Sequence, residues 1–317
     1  MFSVVFVKML NRFPPEILSN IVSRLLGYTL VDLIGTGDKL LLRKIRSSPV
    51  HLVYDGSFMN HIYKLTGSFF KNVKGTEYTF VSAGIFDPVP LTFPETLDRV
   101  EIHYTSPEQV KKLLSMIPSN VRELKMNGHF EFNSSFAAAI PRSITSFESH
   151  HDFHDAVVFS DFCKNLPDLE SLSLSCKFLI TKESLLSLPR SLVDLRIMFS
   201  AAIFGFESGL HHDLLQWLPE GLQKLRFLFG APLNFLKLPP SVTTVEVQSG
   251  GHNYICVKAE NFPPTVKNLI VRHADVDDVE KLADQLDTLT YLDPTRPLLS
   301  ASIIRRFTKA KRGLIDE

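Results

Sequence analysis

The stretch LPRSLVDLRI, residues 188–197, decides the fold, because one ten-residue phrase keeps returning in altered spelling. It reads FPETLDRVEI from Phe93, IPSNVRELKM from Ile117, LPEGLQKLRF from Leu218, LPPSVTTVEV from Leu238 and FPPTVKNLIV from Phe262. Aligned on its proline, the phrase falls at Pro94, Pro118, Pro141, Pro167, Pro189, Pro219, Pro239 and Pro263, with Asp287 in the corresponding place of a final, degenerate copy. The steps run from 20 to 30 residues and are mostly near 24. Self-similarity at that period is the signature of a stack of repeats, each of which buries its apolar side only against the next.

Within each copy, apolar residues stand three, six and eight places after the proline, as in Leu192, Leu195 and Ile197 or Leu222, Leu225 and Phe227. The final spacing of two is a strand's alternation, so Leu195 and Ile197 face one way while Asp194 and Arg196 face the other. Each copy therefore contributes one short strand. The Pro167 copy, LPDLESLSL, is a residue shorter before its first leucine, yet Leu172 and Leu174 keep the alternation.

Between strands the period changes to that of a helix. In SPEQVKKLLSMI, Ser106 offers an N-cap, Pro107 suits the first turn, Gln109 completes a capping box, and Val110, Leu113, Leu114 and Ile117 form an apolar stripe. DVDDVEKLADQL, from Asp275, repeats that grammar through Val276, Val279, Leu282 and Leu286, and SDFCKNL, KESLLSL and HDLLQWL are shorter cousins.

This pattern resembles the leucine-rich repeat family, in the variants that carry LPxxLxxLxL, over roughly residues 90 to 293. The resemblance implies an α/β leucine-rich-repeat solenoid: a curved parallel sheet with short helices and turns on its convex side. The family's regular asparagine after each strand is missing, since Met198, Leu228 and Gln248 stand where Asn127 stands in one copy. Residues five, seven and nine after each proline are expected side by side on the concave sheet. Acidic Glu101, Glu123 and Glu148 gather early; Asp194, Arg196, Met198, Lys224, Arg226 and Leu228 follow as a mainly basic patch with apolar neighbours. Such faces bind macromolecules, and these nine residues are the candidate contacts to a protein partner, an acidic segment of which suits the basic patch.

The first ninety residues do not scan as repeats. After Pro14 and Pro15, apolar positions Ile17, Leu18, Ile21, Val22 and Leu25 run at helical spacing, and further apolar groups begin at Leu30 and Leu40. These residues resemble the F-box: Phe13 and Pro14 match its opening, Glu16, Ile17 and Leu18 its first helical turn, Ile21 and Leu25 the rest of that helix, and Leu33 the start of the next. After Gly35 the sequence reads GDKLLLRKI, where the family has a small or apolar residue, a basic one and an aromatic. A helical cap over the first repeat explains the same apolar stripe. The expected layout is an F-box-like helical region at 10–50, a linker or capping region at 51–89, repeats at 90–293, and a C-terminal helix or basic tail at 294–317.

The F-box resemblance implies the substrate-recognition subunit of a cullin-RING ubiquitin ligase, with Phe13, Pro14, Glu16, Ile17, Leu18, Ile21, Leu25 and Leu33 contacting the adaptor subunit and the concave face holding a protein substrate. Such a chain needs no catalytic residue, cofactor or metal of its own and acts by proximity. The alternative is a leucine-rich-repeat scaffold with no ligase connection. An enzyme reading rests on SHHDFHD, where His150, His151 and His154 crowd against Asp152 and Asp155, but the cluster follows a strand where polar turns are expected and lacks HExxH spacing. Trp217 reads as repeat core, and RRFTKAKR near the C-terminus as a basic helix face.

Composition fits this picture. The 317 residues are 44% hydrophobic and 21% charged, with 34 basic against 34 acidic side chains, so net charge provides no pull toward nucleic acid or an anionic membrane. Cys163, Cys176 and Cys256 are scattered without CxxC spacing and read as core thiols of a cytoplasmic or nuclear protein. The apolar opening run ends at Lys8, short of a signal peptide, and no stretch approaches the ~20 residues of a membrane span.

Overall fold

Every described helix between residues 107 and 261 stops one or two residues short of a proline, and that proline opens a turn leading into the next strand. The computed structural model describes residues 50–55, 75–81, 97–103, 107–127, 132–153, 155–176, 180–199, 211–228, 234–248, 256–293 and 296–311, together with Pro14 and Phe178. In chain order these form β1 (Val50–Asp55), β2 (Gly75–Val81), β3 (Arg99–His103), α1 (Pro107–Met116), β4 (Glu123–Asn127), α2 (Ser134–Ala139), β5 (Ser146–Phe153), α3 (Ala156–Asn165), β6 (Ser171–Cys176), α4 (Lys182–Leu186), β7 (Asp194–Phe199), a 3₁₀ segment (His212–Trp217) and β8 (Lys224–Leu228). There follow β9 (Thr244–Gln248), β10 (Cys256–Val257), a 3₁₀ turn (Ala259–Asn261), β11 (Asn268–Arg272), β12 (Asp275–Val276), α5 (Val279–Gln285), β13 (Thr288–Leu292) and α6 (Pro297–Lys311).

The proline's role is physical. It lacks the N–H a continuing helix needs and disfavours helical geometry in the residue before it. Its carbonyl then accepts from the N–H three residues on: Val121 to Pro118, Ile144 to Pro141, Leu192 to Pro189, Leu222 to Pro219, Val242 to Pro239 and Val266 to Pro263, all at 3.0–3.2 Å. In the shortened copy the turn slides back by one, Leu169 donating to Leu166 at 3.3 Å. The next two amides then share one carbonyl of the preceding repeat. Val193 and Asp194 both donate to Glu170, Gln223 and Lys224 to Val193, Thr243 and Thr244 to Gln223, and Lys267 and Asn268 to Thr243.

Polar side chains two places after the proline add ties that the repeat pattern did not flag. Asn120 donates to the Leu97 carbonyl at 2.6 Å, Ser143 to Val121 at 2.9 Å, and Ser191 to both Pro167 and Leu169 at 2.9 and 2.8 Å. Each links one repeat's turn to the backbone before it. Ser241 and Thr265 hold the same place, but their buried hydroxyls have no hydrogen-bond partner among the described residues.

The chain divides into two units, residues 1–130 with 138–151, and residues 131–137 with 152–317. In the first, parallel strands run in the order β1-β2-β3-β4-β5, and in the second β6-β7-β8-β9-β11-β13, with the two-residue β10 and β12 paired apart. The fold is α/β: in each unit parallel strands are stacked side by side and joined by short helices and turns. Register follows the aligned phrases: Leu172, Leu195 and Leu225 share one row, and Leu174, Ile197 and Phe227 the next, all buried. In the second unit an aromatic cluster fills the space behind the strands, Phe153 lying edge-on to Phe159 and Phe162 at 5.7 and 5.4 Å. Phe235 links Phe227 at 6.0 Å to Phe262, stacked at 4.9 Å.

Several expectations change. The strand ladder begins upstream of residue 90, because β1 and β2 continue in register from β3, with Glu77 beside Arg99 and His51 beside Glu77. In the final copy the place of the proline belongs to Ala283, not Asp287. Thr288 pairs with Asn268, so Leu286, Leu289 and Tyr291 are the buried positions three, six and eight further on. Ala283 lies inside α5: with no proline there, the helix runs on to Gln285 and hides the phrase. That helix also starts later than its apolar spacing suggested, since Val276 belongs to β12 and Asp278, with φ of 51°, enters the helix from the left-handed region. The stripe of α1 is as expected, with Val110, Leu113, Leu114 and Ile117 buried, whereas Ser106 and the side chain of Gln109 lie outside the described residues.

Cys163 and Cys176 are buried thiols, Cys163 pushed up to about 12 by burial. Cys256 is not core. It is half-exposed and donates to the Asp277 carboxylate at 3.0 Å, and burial followed by that contact pushes it up to about 11. Trp217 is likewise only part-buried, with the Lys182 ammonium 3.7 Å from its ring centroid, a cation–π contact. The C-terminal helix α6 buries Ile303 and Phe307, and Arg306 makes two 3.0 Å hydrogen bonds to Glu280.

Candidate interaction face

Alternation puts one side chain in two on the open face of each strand, and parallel pairing sets those side chains in rows about 4.8 Å apart. In the first unit Arg99, Glu101 and His103 stand beside Glu123, Lys125 and Asn127, with Glu123 and Lys125 beside Ser146 and Glu148. These charges are paired with one another. The Lys125 ammonium bridges Glu101 at 3.5 Å and Glu148 at 3.6 Å. His103 contacts Glu101 at 2.7 Å, Asn127 donates to Glu101 at 2.9 Å, His150 contacts Glu148 at 3.1 Å, and Arg99 lies 3.8 Å from Glu123. Burial alone would raise the Glu101 carboxyl, but the hydrogen bond from His103 and the charge of Lys125 outweigh it and hold the group below its ordinary value. Glu101, Glu123 and Glu148 therefore form the acidic half of a charge network.

In the second unit the open rows read Ser171, Ser173 and Ser175 on β6, Asp194, Arg196 and Met198 on β7, then Lys224, Arg226 and Leu228 on β8. Thr244, Glu246 and Gln248 follow on β9, and Asn268, Ile270 and Arg272 on β11. Arg226 reaches diagonally to Asp194, its Nε 3.2 Å from Oδ1 and its Nη2 on Oδ2, a two-pronged grip. The Lys224 ammonium is 4.0 Å from the same carboxylate. Arg272 Nε donates to Glu246 Oε1 at 2.7 Å, and Asn268 links Thr244 and Thr288 through its side-chain amide. The guanidinium of Arg196 has no hydrogen bond or ion pair among the described residues, although Arg226 and Ser173 flank it in the row. Met198 is half-buried; the side chain of Leu228 lies outside the described residues.

The other sequence candidates divide in the same way. The F-box-like positions Phe13, Glu16, Ile17, Leu18, Ile21, Leu25 and Leu33 lie outside the described residues, which at that end hold only the exposed Pro14. Of the histidine cluster, His150 is on the open face against Glu148, whereas His154 and the side chains of His151 and Asp152 lie outside the described residues; Asp155 caps α3 by accepting from Val157. A group that histidine spacing had not singled out is His211, His212 and Asp213, whose ligand atoms lie within 4.8 Å of one another. Lys237 already donates to that carboxylate and, with the neighbouring histidines, holds it below its ordinary value. The one carboxylate of this group is therefore already engaged by an ammonium.

No protein-family profile matches the chain, and no curated protein matches it in sequence. Among solved structures it is similar to CroV588, described as a novel circular leucine-rich-repeat protein, at 12% identity and a TM-score of 0.31, covering 69% of this chain. The match spans 41% of that protein's length. Among the described residues no helix is long and apolar enough to cross a membrane.

Proposed function

We propose that this chain is a protein-interaction scaffold, and that it serves as the substrate-recognition subunit of a cullin-RING ubiquitin ligase. The observation that supports the scaffold reading is the open strand face, where charged and hydroxyl side chains stand on hydrogen-bonded parallel strands whose opposite sides are buried. A partner bound there meets groups whose positions the backbone ladder already holds, so little ordering entropy is lost on binding. The ligase reading adds the residue pattern Phe13-Pro14 through Leu33, in which Ile17, Leu18 and Ile21 would cover the adaptor, each contributing on the order of 1.5–3 kcal/mol when fully buried. The chain carries no chemistry in this scheme; it positions a bound protein for transfer by other subunits.

The test is co-purification of the tagged chain from cells, scored for the identified adaptor and cullin. Ile17→Asp, Leu18→Asp and Ile21→Asp are expected to abolish adaptor capture while leaving the unfolding transition of the repeats in place. Loss of the whole fold in these variants would favour the helical-cap reading. Failure of the unaltered chain to carry adaptor or cullin would leave a scaffold without a ligase connection, acting through the same face.

A further inference from the structure

Strands β7 and β8 present three cations, Arg196, Lys224 and Arg226, to one carboxylate, Asp194. That carboxylate is committed: both prongs of Arg226 hold it, and Lys224 stands off its Oδ2. The next strands offer Arg196 no relief. On one side β6 carries only serines on this face, and beyond β8 the Glu246 carboxylate bonds Arg272. Arg196 and Arg226 are direct neighbours across the β7–β8 ladder, an arrangement that repels when left without a counter-ion. On the other flank, Ser173 is the direct partner of Arg196, and its buried Oγ has no hydrogen-bond partner among the described residues. Among the described residues, a cation without an anion thus adjoins a hydroxyl without an acceptor, with the half-buried thioether of Met198 two residues along the strand.

We propose that Arg196 and Ser173 form an oxyanion-recognition site for an acidic peptide segment, the guanidinium gripping a carboxylate or phosphate and the Ser173 hydroxyl, on a part-exposed residue, turning outward to complete its hydrogen bonding. Asp194 positions the site by holding Arg226 aside, so that the guanidinium of Arg196 stays open to the ligand. The sheet supplies the positive ground and Met198 an apolar contact for the flanking residue. A peptide suits the site better than a duplex because two unbalanced charges and a single hydroxyl answer one anionic group, not a run of backbone phosphates. This inference deepens the scaffold reading and rests on it, but requires nothing of the N-terminal region.

Fluorescence anisotropy on the full chain tests it with three labelled probes: hexaglutamate, a neutral Gly-Ser peptide carrying one phosphoserine, and a short DNA duplex. Both peptides are expected to bind and to weaken as salt rises, the tighter of them showing whether carboxylate or phosphate is preferred. Arg196→Ala is expected to weaken them about tenfold or more, with Arg196→Lys intermediate because an ammonium lacks the two-pronged grip. Ser173→Ala should weaken binding several-fold, while Arg305→Ala, on the exposed side of α6, should match the unaltered chain. Unchanged unfolding of Arg196→Ala would exclude misfolding as the cause. The proposal is overturned if neither peptide binds, if Arg196→Ala binds them as before, or if the duplex binds and the peptides do not. Adaptor capture without peptide binding would sink this site and spare the ligase reading; the reverse pattern would do the opposite.

Discussion

Three consecutive residues of β7 are expected to respond to alanine in three different ways. Leu195 is fully buried between Leu172 and Leu225, themselves fully buried on the flanking strands. Those strands are fixed by backbone bonds on both sides, so the cavity left by Leu195→Ala cannot close easily, and a loss of about 3 kcal/mol is expected, within the 2–5 range for such truncations. Asp194→Ala removes the carboxylate that holds Arg226 and Lys224, leaving beside Arg226 only Glu246, which already bonds Arg272. A hydrogen bond to a charged group is worth roughly 1.5–3 kcal/mol, and partial exposure of both partners reduces the expected loss to about 1 kcal/mol. Arg196→Ala removes a repelled charge that has no partner among the described residues and should be neutral, or stabilising by a few tenths of a kcal/mol. Trp217, the chain's one tryptophan, precedes β8 and reports on this unit, so urea titration followed by its fluorescence reads all three variants. The midpoint should move and the slope should not. Losses at Arg196 equal to those at Leu195 would refute the strand phase, and a loss at Arg196 exceeding that at Asp194 would refute the charge assignment.

The turn ties offer a second comparison: Ser191→Ala should cost about 0.5–1.5 kcal/mol because its hydroxyl serves two carbonyls of the preceding repeat, whereas Ser241→Ala, at the same repeat position, should cost nothing measurable by urea titration. Acid titration of stability tests Glu101, whose folded pKa lies below its unfolded one. Its contribution is present above the unfolded value, near 4.3 for an ordinary glutamate, and is lost as pH falls through the lower folded value. Glu101→Gln should therefore flatten the acid limb of the stability profile and leave its alkaline limb alone; an unaltered acid limb would place the ionic support elsewhere.

The proline phrase was legible because every rule it uses is local. A proline ends the helix behind it, its carbonyl closes a turn three residues on, and strict alternation sends Leu195 and Ile197 one way and Arg196 the other. Where the proline was replaced, the reading failed: α5 runs through Ala283, and four residues of error moved the last strand's expected start. Strands β1 and β2 carried no such marker, and only pairing with β3 reveals their place in the ladder. The turn serines were in plain view within the phrase, yet their acceptors lie more than twenty residues away and no spacing rule points to them.

What the sequence by itself determined is therefore the repeat, its strand phase and the set of side chains on the open face, since each follows from periodicities of two and 3.6 along one stretch of chain. Only the tertiary structure decided which of those side chains spend their charge on one another. The sequence offered Arg196, Lys224 and Arg226 as equals. Stacking β7 against β8 brings Arg226 to Asp194 from 32 residues away, leaves Arg196 beside the unsatisfied hydroxyl of Ser173, and makes it the distinctive one of the three. Side-chain pairing depends on lateral neighbours a whole repeat apart, and repeats of unequal length, such as the 30 residues from Pro189 to Pro219, align them only once the backbone ladder has formed.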